Sequence, residues 1–148
     1  MSDLATPELT LDLTRHFAAP PERVFDAWLT PEWAQWLPPK AATCRLTLHE
    51  PRVGGRFETN MTMPDGREVN TSGVYREIDR PHRLVFTWTA DYAGFETLIT
   101  LTFTHEDGGT RMTLRQAGFP SSETRSGYEI GWGGPGGSFD KLEALLRG

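Results

Sequence analysis

The sequence predicts an α+β domain: a curved antiparallel β-sheet of about seven strands, two short helices after the first strand, and one long helix at the C-terminus. Three observations carry this reading. Apolar residues recur at every second position through most of the middle of the chain. Turn pairs such as Asp65-Gly66 and Asp107-Gly108 separate those runs. After Gly118-Phe119-Pro120 the period changes, and Tyr128, Trp132, Phe139, Leu142, Leu145 and Leu146 recur at helical spacing. A helix that follows a meander has one obvious place to bury its apolar face, the concave side of the sheet. Space left between the two is the candidate site.

The elements follow in order. Residues 1–8 read as a flexible leader and 9–148 as a single domain. Leu9, Leu11 and Leu13 alternate with Thr10, Asp12 and Thr14, a half-buried strand. Ala19-Pro20-Pro21-Glu22 starts a helix, proline being tolerated in a first turn, and Val24, Phe25 and Trp28 form its apolar face. Thr30-Pro31-Glu32 reads as a second start, with Thr30 as cap; Trp33 and Trp36 follow as exposed aromatics, over a cavity mouth or a dimer surface. Strands are expected at 43–49, 56–63, 68–78, 83–89, 96–105 and 110–117. Asp65-Gly66, Asp79 to His82, Ala93-Gly94 and Asp107 to Gly109 lie in the turns between them. Short connections imply a meander, and the first strand is expected to pair with the last. Arg56, Asn60, Arg76 and Thr87 are expected to face solvent.

Composition narrows the function. The 148 residues carry a net charge of −5 with scattered basic residues, unlike a nucleic-acid-binding surface. No window is apolar enough to span a membrane, the N-terminus lacks a signal-peptide core, and the single Cys44 suits a reducing compartment. A cytoplasmic location is the expectation. His16, His49, His82 and His105 show no metal-ligand spacing, so neither a metal nor another cofactor is expected. No GxSxG elbow occurs, and Cys44 on a strand reads as a packing residue. Tyr75 and Glu129 are the speculative acid–base residues, although no paired constellation accompanies them. The aromatics say more: Phe57, Tyr75, Phe86, Trp88, Phe103, Tyr128 and Trp132 can all face the space between sheet and helix, as core or as cavity lining.

Several local motifs carry a resemblance. They are Pro20 to Trp28 with Thr30-Pro31-Glu32 and Trp36, Gly54-Gly55-Arg56-Phe57, Gly73 to Ile78, Arg83 to Trp88, Gly118-Phe119, and Gly131-Trp132 followed by Ser138 to Leu142. In this order the chain resembles the START-like (SRPBCC) superfamily, and within it the branch named for the activator of the ninety-kilodalton heat-shock chaperone's ATPase. The resemblance implies a helix-grip (START/Bet v-like) fold with a deep cavity between sheet and last helix. Members bind lipids, sterols, polyketides or hormones, and some are cyclases or dehydratases. The family's last helix usually runs unbroken. Here Gly134-Pro135-Gly136-Gly137 intervenes and should kink, bulge or break it.

The reading is therefore a small hydrophobic or amphipathic ligand held by Trp36, Phe57, Met61, Tyr75, Phe86, Trp88, Phe103, Tyr128 and Trp132. The alternatives are a cyclase/aromatase-like enzyme using a buried Tyr or carboxylate, and a co-chaperone-like stimulator of a chaperone ATPase. That co-chaperone carries an additional domain for which 148 residues leave no room. A homodimer is also compatible.

Overall fold

In the computed structural model, residues 9–91 and 94–147 are described. The expected leader, residues 1–8, lies outside them, as does Ala93. The chain runs β1 (Thr10–Phe17), α1 (Pro21–Leu29), α2 (Trp33–Trp36), β2 (Thr43–His49), β3 (Arg56–Thr62), β4 (Glu68–Asp79), β5 (Arg83–Ala90), β6 (Glu96–Glu106), β7 (Gly109–Ala117), α3 (Ser122–Gly133) and α4 (Ser138–Arg147). The strands form one antiparallel sheet in the order β1-β7-β6-β5-β4-β3-β2. β2 to β7 are a meander, and β1 returns to pair with β7, Thr10 opposite Ala117 and Phe17 opposite Thr110. The β6–β7 hairpin turns through Asp107 and Gly108, both at positive φ (50° and 74°), as a two-residue turn requires.

The inner face of the sheet holds the core. Phe25 of α1 stacks edge-on against Phe103 of β6, with centroids 5.3 Å apart. Trp28 is the hub, touching Trp33, Trp36, Phe86, Trp132 and Phe139. Its Nε1 donates to Met112 Sδ at 3.3 Å.

Three expectations are corrected. Trp33 and Trp36 are both 1% exposed, so they cover neither a mouth nor a partner surface. Trp33 packs on Phe57 at 5.0 Å, and Trp36 Nε1 donates to the Ala27 carbonyl at 3.0 Å. Thr30 does not cap α2. It ends α1, its N–H and its Oγ1 both donating to the Asp26 carbonyl, while α2 is a single turn after Glu32. Thr87 is buried rather than solvent-facing. The β4–β5 ladder is interrupted between Ser72↔Thr89 and Tyr75↔Phe86, and there Thr87 Oγ1 takes the Val74 N–H at 2.8 Å.

At the expected interruption the last helix breaks into two. Gly134 caps α3 in extended conformation (φ −75°, ψ 173°), Gly136 sits at φ 73°, and Ser138 begins α4. A side chain at Gly137 would meet the Gly131 carbonyl at 2.7 Å, so the break is built tightly.

Candidate functional site

The break leaves α3 spanning an open space. A cavity of about 420 Å³ lies between α3 and the inner face of β3, β4 and β5. Met61, Val69, Thr71, Trp88 and Ala90 form its sheet wall. Thr124, Gly127, Tyr128, Gly131 and Trp132 form its helix wall, which is one face of α3. Leu37 and Pro39, with Met63 and Ser138, complete it. The volume is within the range of small-molecule sites.

A closed hydrogen-bond network positions this wall. Trp132 Nε1 donates to Gln116 Oε1 at 3.0 Å. Gln116 Nε2 donates to Thr97 Oγ1 at 2.9 Å, and Thr97 Oγ1 donates to the Trp88 carbonyl at 3.3 Å. Trp88 Nε1 then donates to Tyr128 OH at 3.1 Å, back on α3. Gln116 is 0% exposed. A buried amide is tolerated because both its ends are satisfied. Through these bonds β5, β6 and β7 hold α3 at two points without a charge.

Of the nine expected ligand-binding residues, Met61, Trp88, Tyr128 and Trp132 lie on the cavity wall. Trp36, Phe57, Tyr75, Phe86 and Phe103 do not. They are packed against one another and against α1 and α2, each at most 3% exposed. The reason is the depth of α1 and α2, whose three tryptophans fill that half of the concave face. Sequence reasoning missed Val69, Thr71, Ala90, Gly127 and Gly131. The glycines did leave a signal, since they are four apart and each precedes a wall aromatic.

The speculative acid–base residues are not brought together. Tyr75 is on β4 in the packed half; burial pushes its hydroxyl pKa well up, and its OH has no partner. Glu129 is exposed on α3 and pairs with Arg125 at 3.5 Å. Neither lines the cavity. Among the described residues no group of three His, Cys, Asp or Glu side chains could hold a metal, and no helix is long and apolar enough to cross a membrane. A second hollow of about 300 Å³ carries Thr47, Glu58, Ser72 and Asp91. Its carboxylates are engaged, Glu58 by Arg56 at 2.9 Å and Asp91 by Asn70 at 3.0 Å.

Known proteins agree with this architecture. Protein CV1439 from Chromobacterium violaceum is 30% identical and superposes with a TM-score of 0.87 over 95% of this chain and 98% of its own. A Rhodobacter sphaeroides protein is 27% identical (TM-score 0.82, 97% and 95% covered). The AHSA1 protein of Silicibacter pomeroyi is 26% identical (TM-score 0.78, 93% and 97% covered). None of the curated proteins matches the sequence. The family model for activator of Hsp90 ATPase homolog 1-like proteins matches residues 18–147. With its seven-stranded curved sheet and helical cover, the chain belongs to that family, within the START/SRPBCC superfamily.

Proposed function

We propose that this protein binds a small hydrophobic or amphipathic molecule in the cavity beneath α3, and that it is a binding module rather than a catalyst. The observation that carries this is the cavity itself: an interior otherwise packed with aromatics leaves about 420 Å³ unfilled beside Trp88 and Tyr128. The space opens to solvent and its wall is mostly apolar, so a hydrophobic occupant would take that apolar surface out of water. The cyclase-like alternative has less support, because Tyr75 is sealed away from the cavity and Glu129 is in a surface ion pair. The family description favours one second reading, a chaperone partner, which a chaperone ATPase assay with and without the protein tests directly.

Titration with the uncharged fluorescent probe 1-N-phenylnaphthylamine tests the binding reading. The expected result is saturable, stoichiometric fluorescence enhancement with a rise in melting temperature, since a ligand of the native state stabilises it by mass action. Absence of saturable binding, together with no retained small molecule in native mass spectrometry of protein from its own host, would contradict it.

A further inference from the structure

The cavity wall makes a more specific statement about its occupant, one that rests on the binding reading above. No wall residue is Asp, Glu, Lys, Arg or His. Six wall residues carry polar side-chain atoms, and each is already engaged within the protein. Thr71 Oγ1 bonds Thr59 Oγ1 at 2.5 Å, and Ser138 Oγ donates to the Leu37 carbonyl at 2.6 Å. Thr124 Oγ1 bonds Ser121 Oγ at 3.0 Å. Trp88, Tyr128 and Trp132 belong to the network through Gln116.

Lys141 of α4 and Arg125 of α3 are likewise committed elsewhere. Lys141 Nζ donates to the Pro38 and Lys40 carbonyls at 2.5 and 3.3 Å, and Arg125 Nε donates to the Thr10 carbonyl at 2.8 Å. Three buried side-chain atoms without partners, Trp33 Nε1, His49 Nε2 and Tyr75 OH, belong to residues that are not on the wall.

A charge brought into this space would lose much of its hydration and meet no counter-ion among the wall residues, a cost that ordinarily keeps ions out of apolar interiors. We infer that the site selects uncharged, predominantly hydrocarbon ligands and discriminates against carboxylate and ammonium amphiphiles of the same chain length. Hydrogen bonding then contributes little to recognition, and shape against Trp88, Met61 and the α3 glycines contributes most.

The test is displacement of bound 1-N-phenylnaphthylamine at pH 7.5 by decan-1-ol, decanoate and decylammonium. Decanol should displace the probe at a concentration lower by about tenfold or more than either ion. In Met63→Lys, which places a cation on a half-buried wall position, decanoate should gain about tenfold on decanol. Thr124→Lys serves if that variant does not fold. Equal displacement by decanol and decanoate overturns the inference while leaving the binding reading intact, because the charged head is then held at the mouth in water. Failure of the probe and of all three competitors to bind overturns the binding reading as well.

Discussion

α3 and α4 are the two halves of one expected helix, and they are held in different ways. α4 is fastened. Phe139 and Leu142 are fully buried, Ser138 Oγ and Lys141 Nζ reach the carbonyls after α2, and Arg15 of β1 bridges Asp140 at 2.8 Å and Glu143 at 2.5 Å. α3 is suspended. Trp132 is its one buried residue, Ile130 is 55% exposed, and its other attachments include Tyr128, the Arg125 bond to β1, the Gly131 carbonyl that accepts from Ser138 Oγ, and the Ser121 cap. Two interior glycines, Gly127 and Gly131, weaken it further, each by about 1 kcal/mol relative to alanine. The break at Gly134 to Gly137 lets one segment be optimised for packing while the other spans a space. On the proposed reading, α4 anchors the C-terminal segment and α3 covers the ligand space.

Breaking the fastened half should have the largest effect. Leu142→Ala removes a side chain that is 0% exposed and should cost about 2–5 kcal/mol in denaturant unfolding. Below its lowered melting temperature, probe binding should persist, because Leu142 is not on the cavity wall.

Cutting the suspension should cost less stability but more binding. Gln116→Leu leaves Trp132 Nε1 without its acceptor and should destabilise by about 1–3 kcal/mol. Probe affinity should fall with it, since Trp132 and Tyr128 are held through that network. Unchanged affinity would show that α3 is placed by its ends alone.

The ion pairs of α4 are a smaller matter. Arg15→Met should change stability by about 1 kcal/mol or less, as half-exposed pairs do. The Arg15 guanidinium holds the Asp140 and Glu143 carboxyls below their usual range. A depressed folded-state value means that the contribution is fully present above the unfolded carboxylate pKa and is lost as pH falls through the folded one. The difference in melting temperature between wild type and Arg15→Met should therefore be greatest near neutrality and shrink below about pH 4.

The strands were legible because alternation and turn chemistry are local: Asp65-Gly66 and Asp107-Gly108 lie where the chain reverses. The break at Gly134 was legible as a disturbance, though its outcome was not, since that depends on Lys40 N–H meeting the Gly136 carbonyl and Asp140 meeting the Gly136 N–H. The site was half legible. Inward-facing aromatics look alike in sequence, and which of them line space is decided by how deeply α1 and α2 reach. Trp33 and Trp36 illustrate this: on so short a helix nothing local shows that both indoles turn inward. Gln116 was invisible for the converse reason, its burial being set by Trp132 and Thr97 from other elements.

On the proposed reading, the space under α3 is kept open for a ligand. Gly131 tests it most directly, because a Cβ added there meets nothing within 4 Å and the residue lies on the cavity wall. Gly131→Leu should fold with stability unchanged or raised by up to about 1 kcal/mol, from helix propensity and from filling the void. Its affinity for 1-N-phenylnaphthylamine should fall by about tenfold or more. A stable Gly131→Leu protein that binds the probe as tightly as wild type would contradict the account, and the ligand site would then lie elsewhere.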